Sequence, residues 1–349
     1  MPGRVLVTGI SGFIGSHVAL ALLYAGYTLR GSLRDPGRAP EVAAMLERAG
    51  ADTSRLEFVT LDLLEDAGWR EAARGCRYLV HTASPLHLRP PAERDVLVRP
   101  AVEGTRRAIE AALEADVERV VLTSSVAAMS NGHARDRTAP FTEADWSATE
   151  GDGVNAYSES KTRAELEAWS LMEAAGRRAD LVAVNPVVVL GPLLSPHLSA
   201  SIVLIKRLLD GSAPVAPRLT LNLVDVRDVA ALHLAALTAP RAGGHRFIAA
   251  AAPVSLIEIV DALRAAFPAF ASRLPRLRVP DWVVRLYALV DADVRANLGS
   301  LGSVRSFDAA PAEALLERPF ITPRLAAAAP AQSLVDFGVV SPPRREKKG

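Results

Sequence analysis

The chain has one cysteine and four lysines among its 349 residues, and no apolar run near the ~20 residues of a membrane span. A lone thiol, Cys76, cannot close an internal disulfide, and such sparing use of cysteine suits a reducing compartment. None of the seven histidines pairs with Cys, Asp or Glu at a metal-ligand spacing, so no metal site is expected. Excess charge is lacking too: 40 Lys and Arg face 39 Asp and Glu, a formal net charge of +1. A nucleic-acid binder would carry a clear basic excess. At the N-terminus no basic segment precedes an apolar core, and Val5–Val7 is too short for a secretory signal. These absences predict a soluble, cytoplasmic protein whose partners are neither nucleic acid nor membrane.

Apolar material is plentiful: half the residues are hydrophobic, enough for a large core. Up to Pro186, short apolar runs alternate with helix-like segments, the pattern of a parallel sheet covered by helices on both faces. Strands are predicted near Arg4–Thr8, Thr28–Leu33, Leu56–Leu61, Tyr78–His81, Arg119–Thr123 and Leu181–Asn185. Helices are predicted near Phe13–Ala25, Glu41–Arg48, Trp69–Ala73, Pro100–Ala115 and Ala156–Ala175. Beyond Pro186, prolines break the rhythm, and Leu219–Val226, His245–Ala249 and Leu256–Phe267 read as a smaller α/β region. The fold class is therefore α/β, a doubly wound parallel sheet with a smaller C-terminal α/β lobe. The predicted division is a nucleotide-binding domain over 1–190 with a return segment near 219–240, a substrate lobe over 191–340, and a disordered tail over 341–349. Trp282, Val283, Leu286, Tyr287 and Leu289 stand at helical spacing within Pro280–Leu298 and predict a core or lid helix.

Thr8-Gly9-Ile10-Ser11-Gly12-Phe13-Ile14-Gly15 follows the first strand and opens the first helix. Glycines there permit a tight turn, close approach of backbone amides to a pyrophosphate, and close helix–strand packing. The helix N-terminus adds unpaired N–H groups and partial positive charge for an anion. The spacing is GxxGxxG, and glycines alone would also suit a tight turn in any α/β protein. The second strand ends Gly31-Ser32-Leu33-Arg34-Asp35-Pro36. An NAD enzyme usually carries an acidic residue there for the ribose 2′-hydroxyl; here Leu33 holds that position. Arg34, with Arg38 in reach, suits a 2′-phosphate, so NADP (NADPH over NADH) is expected, unless Asp35 neutralises Arg34. Asp62, beside Leu63 at the end of the third strand, could accept from an adenine amino group or cap a helix.

Tyr157 and Lys161 stand four residues apart on one helix face. A nearby ammonium favours the phenolate and is expected to lower the tyrosine pKa toward the working range of an acid–base catalyst. A YxxxK also occurs as an ordinary surface helix pair, but lysine is scarce in this chain. Ser125 ends the strand Arg119–Thr123 and its two following serines, 32 residues before Tyr157. A hydroxyl at the carboxyl end of a parallel strand can donate to a substrate carbonyl. Ser124 is its rival, and turn capping is the alternative for either.

Together these residues resemble the extended short-chain dehydrogenase/reductases, in particular the dihydroflavonol reductase, cinnamoyl-CoA reductase and aldehyde (carbonyl) reductase-like group. The matching blocks stand in order: VTGISGFIGSH (7–17), SLRDP (32–36), LDL (61–63), HTASP (81–85), RPAVEGTRRAIEAA (99–112), VERVVLTSSVAAM (117–129), FTEADWS (141–147), YSESKTRAE (157–165), NPVVVLGP (185–192) and LVDVRDVAALHLAAL (223–237). The resemblance implies a Rossmann sheet and an NADPH-dependent carbonyl reductase, reversible as an alcohol dehydrogenase, for a small or medium aldehyde or ketone. It makes Tyr157 the proton donor, Lys161 the residue that lowers its pKa and binds the nicotinamide ribose, and Ser125 the group that orients the carbonyl. It implies cofactor contacts from Thr8, Gly9, Gly12, Phe13, Ile14, Gly15, Arg34, Asp62, Leu63, Thr82, Ala83, Ser84, Pro85, Thr123, Tyr157, Lys161, Asn185, Pro186 and Val188. One departure is the stretch Gly151–Asn155, where many plant members are aromatic-rich; it points away from plant flavonoid or cinnamoyl substrates.

Leu86 and Met129 are candidate substrate contacts beside Ser125 and Tyr157; His87, Ser130 and Asn131 could equally pack their loops. Extended members often dimerise through two helices of each subunit, so a homodimer is the expected assembly. Rival readings are a 3β-hydroxysteroid dehydrogenase-like enzyme, a nucleotide-sugar epimerase or dehydratase, and a non-catalytic NADP-sensing regulator. Thr123-Ser124-Ser125 counts against the dehydratases, which usually carry an Asp-Glu pair after the threonine. No clear arginine motif for a diphosphate appears in 190–300, and retention of Ser125, Tyr157 and Lys161 together opposes the regulator.

Overall fold

Short, nearly all-apolar strands can be buried on both faces only in a sheet covered by helices, and the computed structural model has such a sheet. It describes residues 2–85, 93–134, 136–151, 154–276, 279–290, 301–302 and 304–343. The large sheet has seven parallel strands: β1 (Arg4–Thr8), β2 (Thr28–Leu33), β3 (Leu56–Thr60), β4 (Tyr78–His81), β5 (Arg119–Thr123), β6 (Leu181–Pro186) and β9 (Arg246–Ala249). Their order is β3-β2-β1-β4-β5-β6-β9, so the direction of winding reverses beside β1. In register, Thr8 lies opposite His81 and Thr123 opposite Val184, which aligns the strand ends that carry the conspicuous side chains. Helices α1 (Phe13–Tyr24), α2 (Ala39–Arg48), α3 (Trp69–Ala73), α4 (Asp95–Glu114) and α5 (Ala156–Ala174) connect the first six strands. Leu6, Leu79, Ile109, Met172 and Leu181 lie in one core cluster and are each less than 2 % exposed.

A smaller sheet joins β7 (Val188–Leu190) parallel to β8 (Thr220–Asp225), with β10 (Pro253–Ser255) antiparallel on its other edge. Helices α6 (Ala200–Asp210), α8 (Leu256–Ala266), α9 (Asp281–Tyr287) and α11 (Pro323–Asp336) follow or accompany it, while α7 (Val226–Thr238) and α10 (Ala310–Leu316) pack with the large sheet.

Two compact units result. One comprises Met1–Val187, Val226–Ala250 and Phe307–Phe320; the other comprises Val188–Asp225, Ala251–Ser306 and Ile321–Gly349. The return segment thus differs from the expected 219–240: β8 belongs to the smaller sheet, and α7 with β9 returns to the larger one. His245–Ala249, expected in the smaller region, instead supplies β9 through the pairs Val184–Phe247 and Asn185–Ile248. In α9, Val284 is buried, but Trp282 is 64 % exposed, so the segment is not simply a core helix. Residues 291–298 of that expected helix, and the tail from 344, lie outside the described residues.

Candidate active site

Gly9 leaves β1 with φ +69°, a left-handed conformation that favours glycine. The Gly12 amide then donates to the Gly9 carbonyl at 2.9 Å and closes the turn. A Cβ on Gly15 would stand 2.2 Å from the Gly9 oxygen, so only glycine lets α1 start this close to β1. Gly12 is the N-cap and supplies no capping side chain, which leaves the first amides of α1 without a side-chain acceptor there. Phe13 and Ile14 are half-buried, and the Phe13 ring meets His17 edge-on at 5.7 Å.

At the end of β2, Leu33 is buried and Arg34 exposed. Asp35 accepts from the Gly37 amide at 2.9 Å, capping a short turn, and Arg34 forms no ion pair among the described residues. Arg38 pairs with Glu41 and reaches Ser11 Oγ at 3.5 Å, beside the glycine turn. Asp62 accepts from the Leu64 amide at 2.8 Å, the local cap its position allowed. Leu63 packs where Gly104 of α4 has no side chain, and its carbonyl accepts from Arg107 at 2.8 Å.

Thr8 ties β1 to β4: its hydroxyl lies 2.9 Å from His81 Nδ1 and accepts from the Ala83 amide at 3.2 Å, while Thr82 Oγ1 donates to its carbonyl. Burial and the Lys161 charge lower the His81 pKa to about 3, so the ring is neutral. Thr82, Ala83, Ser84 and Pro85 continue half-buried past the strand end; Leu86 and His87 lie outside the described residues.

Helix α5 begins at Asn155, whose side chain accepts from the Ser158 amide at 2.8 Å. That cap sets Tyr157 in the first turn and Lys161 one turn later. Ser125 caps the turn after β5: its Oγ accepts from Ala127 N at 3.1 Å and donates to the Pro186 carbonyl at 3.4 Å. Tyr157 is 36 % exposed, yet the surroundings of its hydroxyl raise the phenol pKa, with a hydrogen bond to Ser125 working in the lowering direction. This corrects the expectation that Lys161 lowers it. Lys161 Nζ instead donates to the Thr123 carbonyl at 3.3 Å, and burial brings its own pKa down to about 8 against the upward pull of Glu165.

Three buried groups lie beneath these residues; Asn185 is an expected cofactor contact, whereas Glu165 and His233 are not among the candidates. Glu165, one turn after Lys161, accepts from Ser124, from Asn185 Nδ2 at 2.8 Å and from Arg246 Nε at 2.6 Å. Asn185 also donates to the Ser125 carbonyl at 3.2 Å. His233 of α7 receives the Thr123 hydroxyl at 2.7 Å, because its Nδ1 lies 2.8 Å from the Val229 carbonyl and must carry the proton there. Glu165 alone left a signal, its four-residue spacing from Lys161.

Met129 is fully buried and belongs to loop packing rather than to a surface that meets substrate. Ser130 and Asn131 bond to the Val126 and Ala127 carbonyls of the same loop. Val188 opens β7 in the second unit, exposed by 37 %. No described helix is long and apolar enough to cross a membrane.

Comparison with known proteins adds relatives that carry names. The model of the NAD dependent epimerase/dehydratase family matches residues 5–250. Cinnamoyl-CoA reductase 1 of Petunia hybrida is 39 % identical over 268 residues, 76 % of this chain and 78 % of that protein. Tetraketide alpha-pyrone reductase 2 of Arabidopsis thaliana is 34 % identical over 270 residues, 75 % and 82 % of the two chains. Among solved structures, yeast methylglyoxal/isovaleraldehyde reductase complexed with NADPH superposes with a TM-score of 0.78 at 27 % identity, covering 96 % of this chain and 99 % of that one.

Proposed function

The chain belongs to the NAD dependent epimerase/dehydratase family, and from that premise we propose that it is an NADPH-dependent carbonyl reductase, reversible as an alcohol dehydrogenase, acting on a small or medium aldehyde or ketone. The observation that carries the reading is the pairing of Ser125, at the end of β5, with Tyr157, one turn before Lys161 on α5. The relatives named reductases, and a structural neighbour crystallised with NADPH, support the reaction class and the cofactor.

The residues fit the dinucleotide. The uncapped amides of α1 would hold the pyrophosphate, Arg34 and Arg38 a 2′-phosphate, and Lys161 the nicotinamide ribose. Leu33 offers no carboxylate that would repel that phosphate. Asn185 Oδ1, buried with no hydrogen-bond partner among the described residues, suits a donor near Pro186 such as a carboxamide. NADPH, when bound, supplies the hydride. Tyr157 does the proton work: the phenol, its pKa raised by burial, is protonated at neutral pH and available as a donor. Ser125 orients the carbonyl oxygen and eases proton loss from Tyr157. Lys161, mostly an ammonium below its pKa of about 8, serves as a charged donor to the ribose rather than through the phenol's pKa.

A CoA thioester is the second reading, favoured by the 39 % identity to the Petunia reductase. The test offers aldehydes, ketones, β-keto esters, hydroxysteroids, hydroxycinnamoyl-CoA and UDP-sugars, monitored by nicotinamide absorbance. Aldehydes or ketones should oxidise NADPH fastest, and Tyr157→Phe should lower turnover by roughly 10²–10⁴-fold with NADPH binding retained. Epimerisation leaves the nicotinamide unchanged after each turnover, so the UDP-sugars are followed by product analysis: their interconversion with no carbonyl reduced would replace this reading with an epimerase, and near-normal turnover in the variant would remove Tyr157 from the role.

A further inference from the structure

Glu165 is fully buried, and its ion pair with Arg246 has side-chain exposures of 0 % and 7 %. Oε2 accepts from Ser124, from Asn185 at 2.8 Å and from Arg246 Nη2 at 3.3 Å; Oε1 accepts from Arg246 Nε at 2.6 Å and Trp169 at 3.2 Å. The carboxylate's acceptor sites are thereby saturated. Arg246 is spent as well, on the Glu143 and Asp145 carbonyls at 3.0 and 2.6 Å and over the Trp146 ring at 3.7 Å. Ion pairs buried this deeply are often no more stabilising than apolar side chains of similar volume. A role in stability alone accounts poorly for the arrangement.

Its position relative to the proposed catalytic groups accounts for it better. Ser124 adjoins Ser125, Asn185 adjoins Pro186 and also holds the Ser125 carbonyl, and Glu165 shares one helix face with Lys161. A cavity of about 10 Å³, lined by Ala83, Leu122 and Ala164 as well as by Thr105, Lys161 and Glu165, leaves room for about one water. Screening across it is weak.

We propose that Glu165 is a positioning residue, which ties the strand ends bearing Ser125 and Asn185 to α5 and keeps a negative charge beside Lys161 as its counter-ion. The proposal rests on the reading of Lys161 given above. The charged and titratable groups around Lys161 are few. Among the described residues, helix α5 brings Glu165 and Tyr157, β4 brings neutral His81, β5 and the residue after it bring the Thr123 carbonyl and the Ser124 hydroxyl, and α4 brings the Thr105 hydroxyl. Burial disfavours the ammonium and Glu165 opposes it, so losing the carboxylate charge should discharge Lys161 at lower pH.

Four lysines allow a direct measurement. With 13Cε-lysine incorporated biosynthetically, each lysine gives one NMR signal, and Lys161→Arg assigns the one of interest. In the protein without cofactor, Glu165→Gln should lower the Lys161 titration midpoint from about 8 by about one pH unit. An unchanged or higher midpoint in the folded variant overturns the proposal. If that variant does not fold, Arg246→Gln takes its place; it leaves the Glu165 charge unshared and should raise the midpoint, and a fall overturns the proposal. The basic limb of the turnover profile should follow the midpoint. A midpoint that moves while the limb stays fixed supports Glu165 as the counter-ion of Lys161 and removes Lys161 from the reaction.

Discussion

Arg34 and Leu33 act at the scale of single side chains. A buried Leu33 leaves no acceptor for a ribose 2′-hydroxyl, Asp35 accepts from the Gly37 amide, and the Arg34 guanidinium has no ion pair among the described residues. A charge-assisted hydrogen bond contributes about 1.5–3 kcal/mol, and 1.4 kcal/mol is a factor of ten. Arg34→Ala should therefore weaken NADPH binding roughly 10- to 100-fold by fluorescence titration. NADH, which lacks the phosphate, should change little; equal losses for both would refute the contact. At this scale the sequence is readable where neighbours share a helix. Tyr157 and Lys161 could be paired from their spacing alone, but Glu165 and Arg246 are separated by 81 residues, and no periodicity connects them. The direction of the Tyr157 shift was also hidden, because it depends on the hydroxyl's surroundings and on Lys161 turning to the Thr123 carbonyl.

The glycine turn works as an element. A Cβ on Gly15 would meet backbone, the Gly9 oxygen at 2.2 Å, and backbone cannot rotate aside. Gly15→Ala should force α1 away from β1 at a cost of about 3 kcal/mol or more, lowering the melting temperature by roughly 5 °C. NADPH affinity should fall with it; an unchanged melting temperature would mean the turn is looser than drawn. Most element bounds were legible, because buried parallel strands are short apolar runs and glycine or polar residues end them. Helix α4 was not: Pro100 suggested a start there, but the Leu97 and Val98 amides bond back to the Arg94 carbonyl at 3.0 and 3.1 Å, and the first turn closes earlier. Arg246–Ala249 was misplaced for another reason. Four residues of apolar strand look alike in either sheet, and only pairing with β6 decides.

For the molecule as a whole, the return of α7 to the larger unit has an electrostatic signature. His233 is fully buried and neutral, its pKa lowered by burial to about 4. The unfolded chain, with an ordinary histidine near 6.5, binds the extra proton first. The stability His233 permits is thus complete above pH ~6.5 and falls as pH drops toward about 4, by ~1.4 kcal/mol per pH unit. Urea unfolding of the wild type and His233→Gln between pH 7 and 4.5 should show the wild type losing about that much more per unit. A difference independent of pH would mean that the His233 ring is hydrated.

The alternation of the chain between its two units also has a meaning in time. Six strands of the large sheet leave the ribosome before residue 187, but the seventh, β9, comes only after an excursion through the smaller sheet. Arg246 is the first residue of that last strand. Translation at about 5–20 residues per second puts roughly 4–16 s between Glu165 and the arginine that neutralises it. Throughout that interval the nascent sheet carries Glu165 without its ion-pair partner Arg246, and an open edge at β6. The larger unit is therefore not a module that can be finished first: Glu165 gains its ion pair, and β6 its last neighbour, only with the final strand.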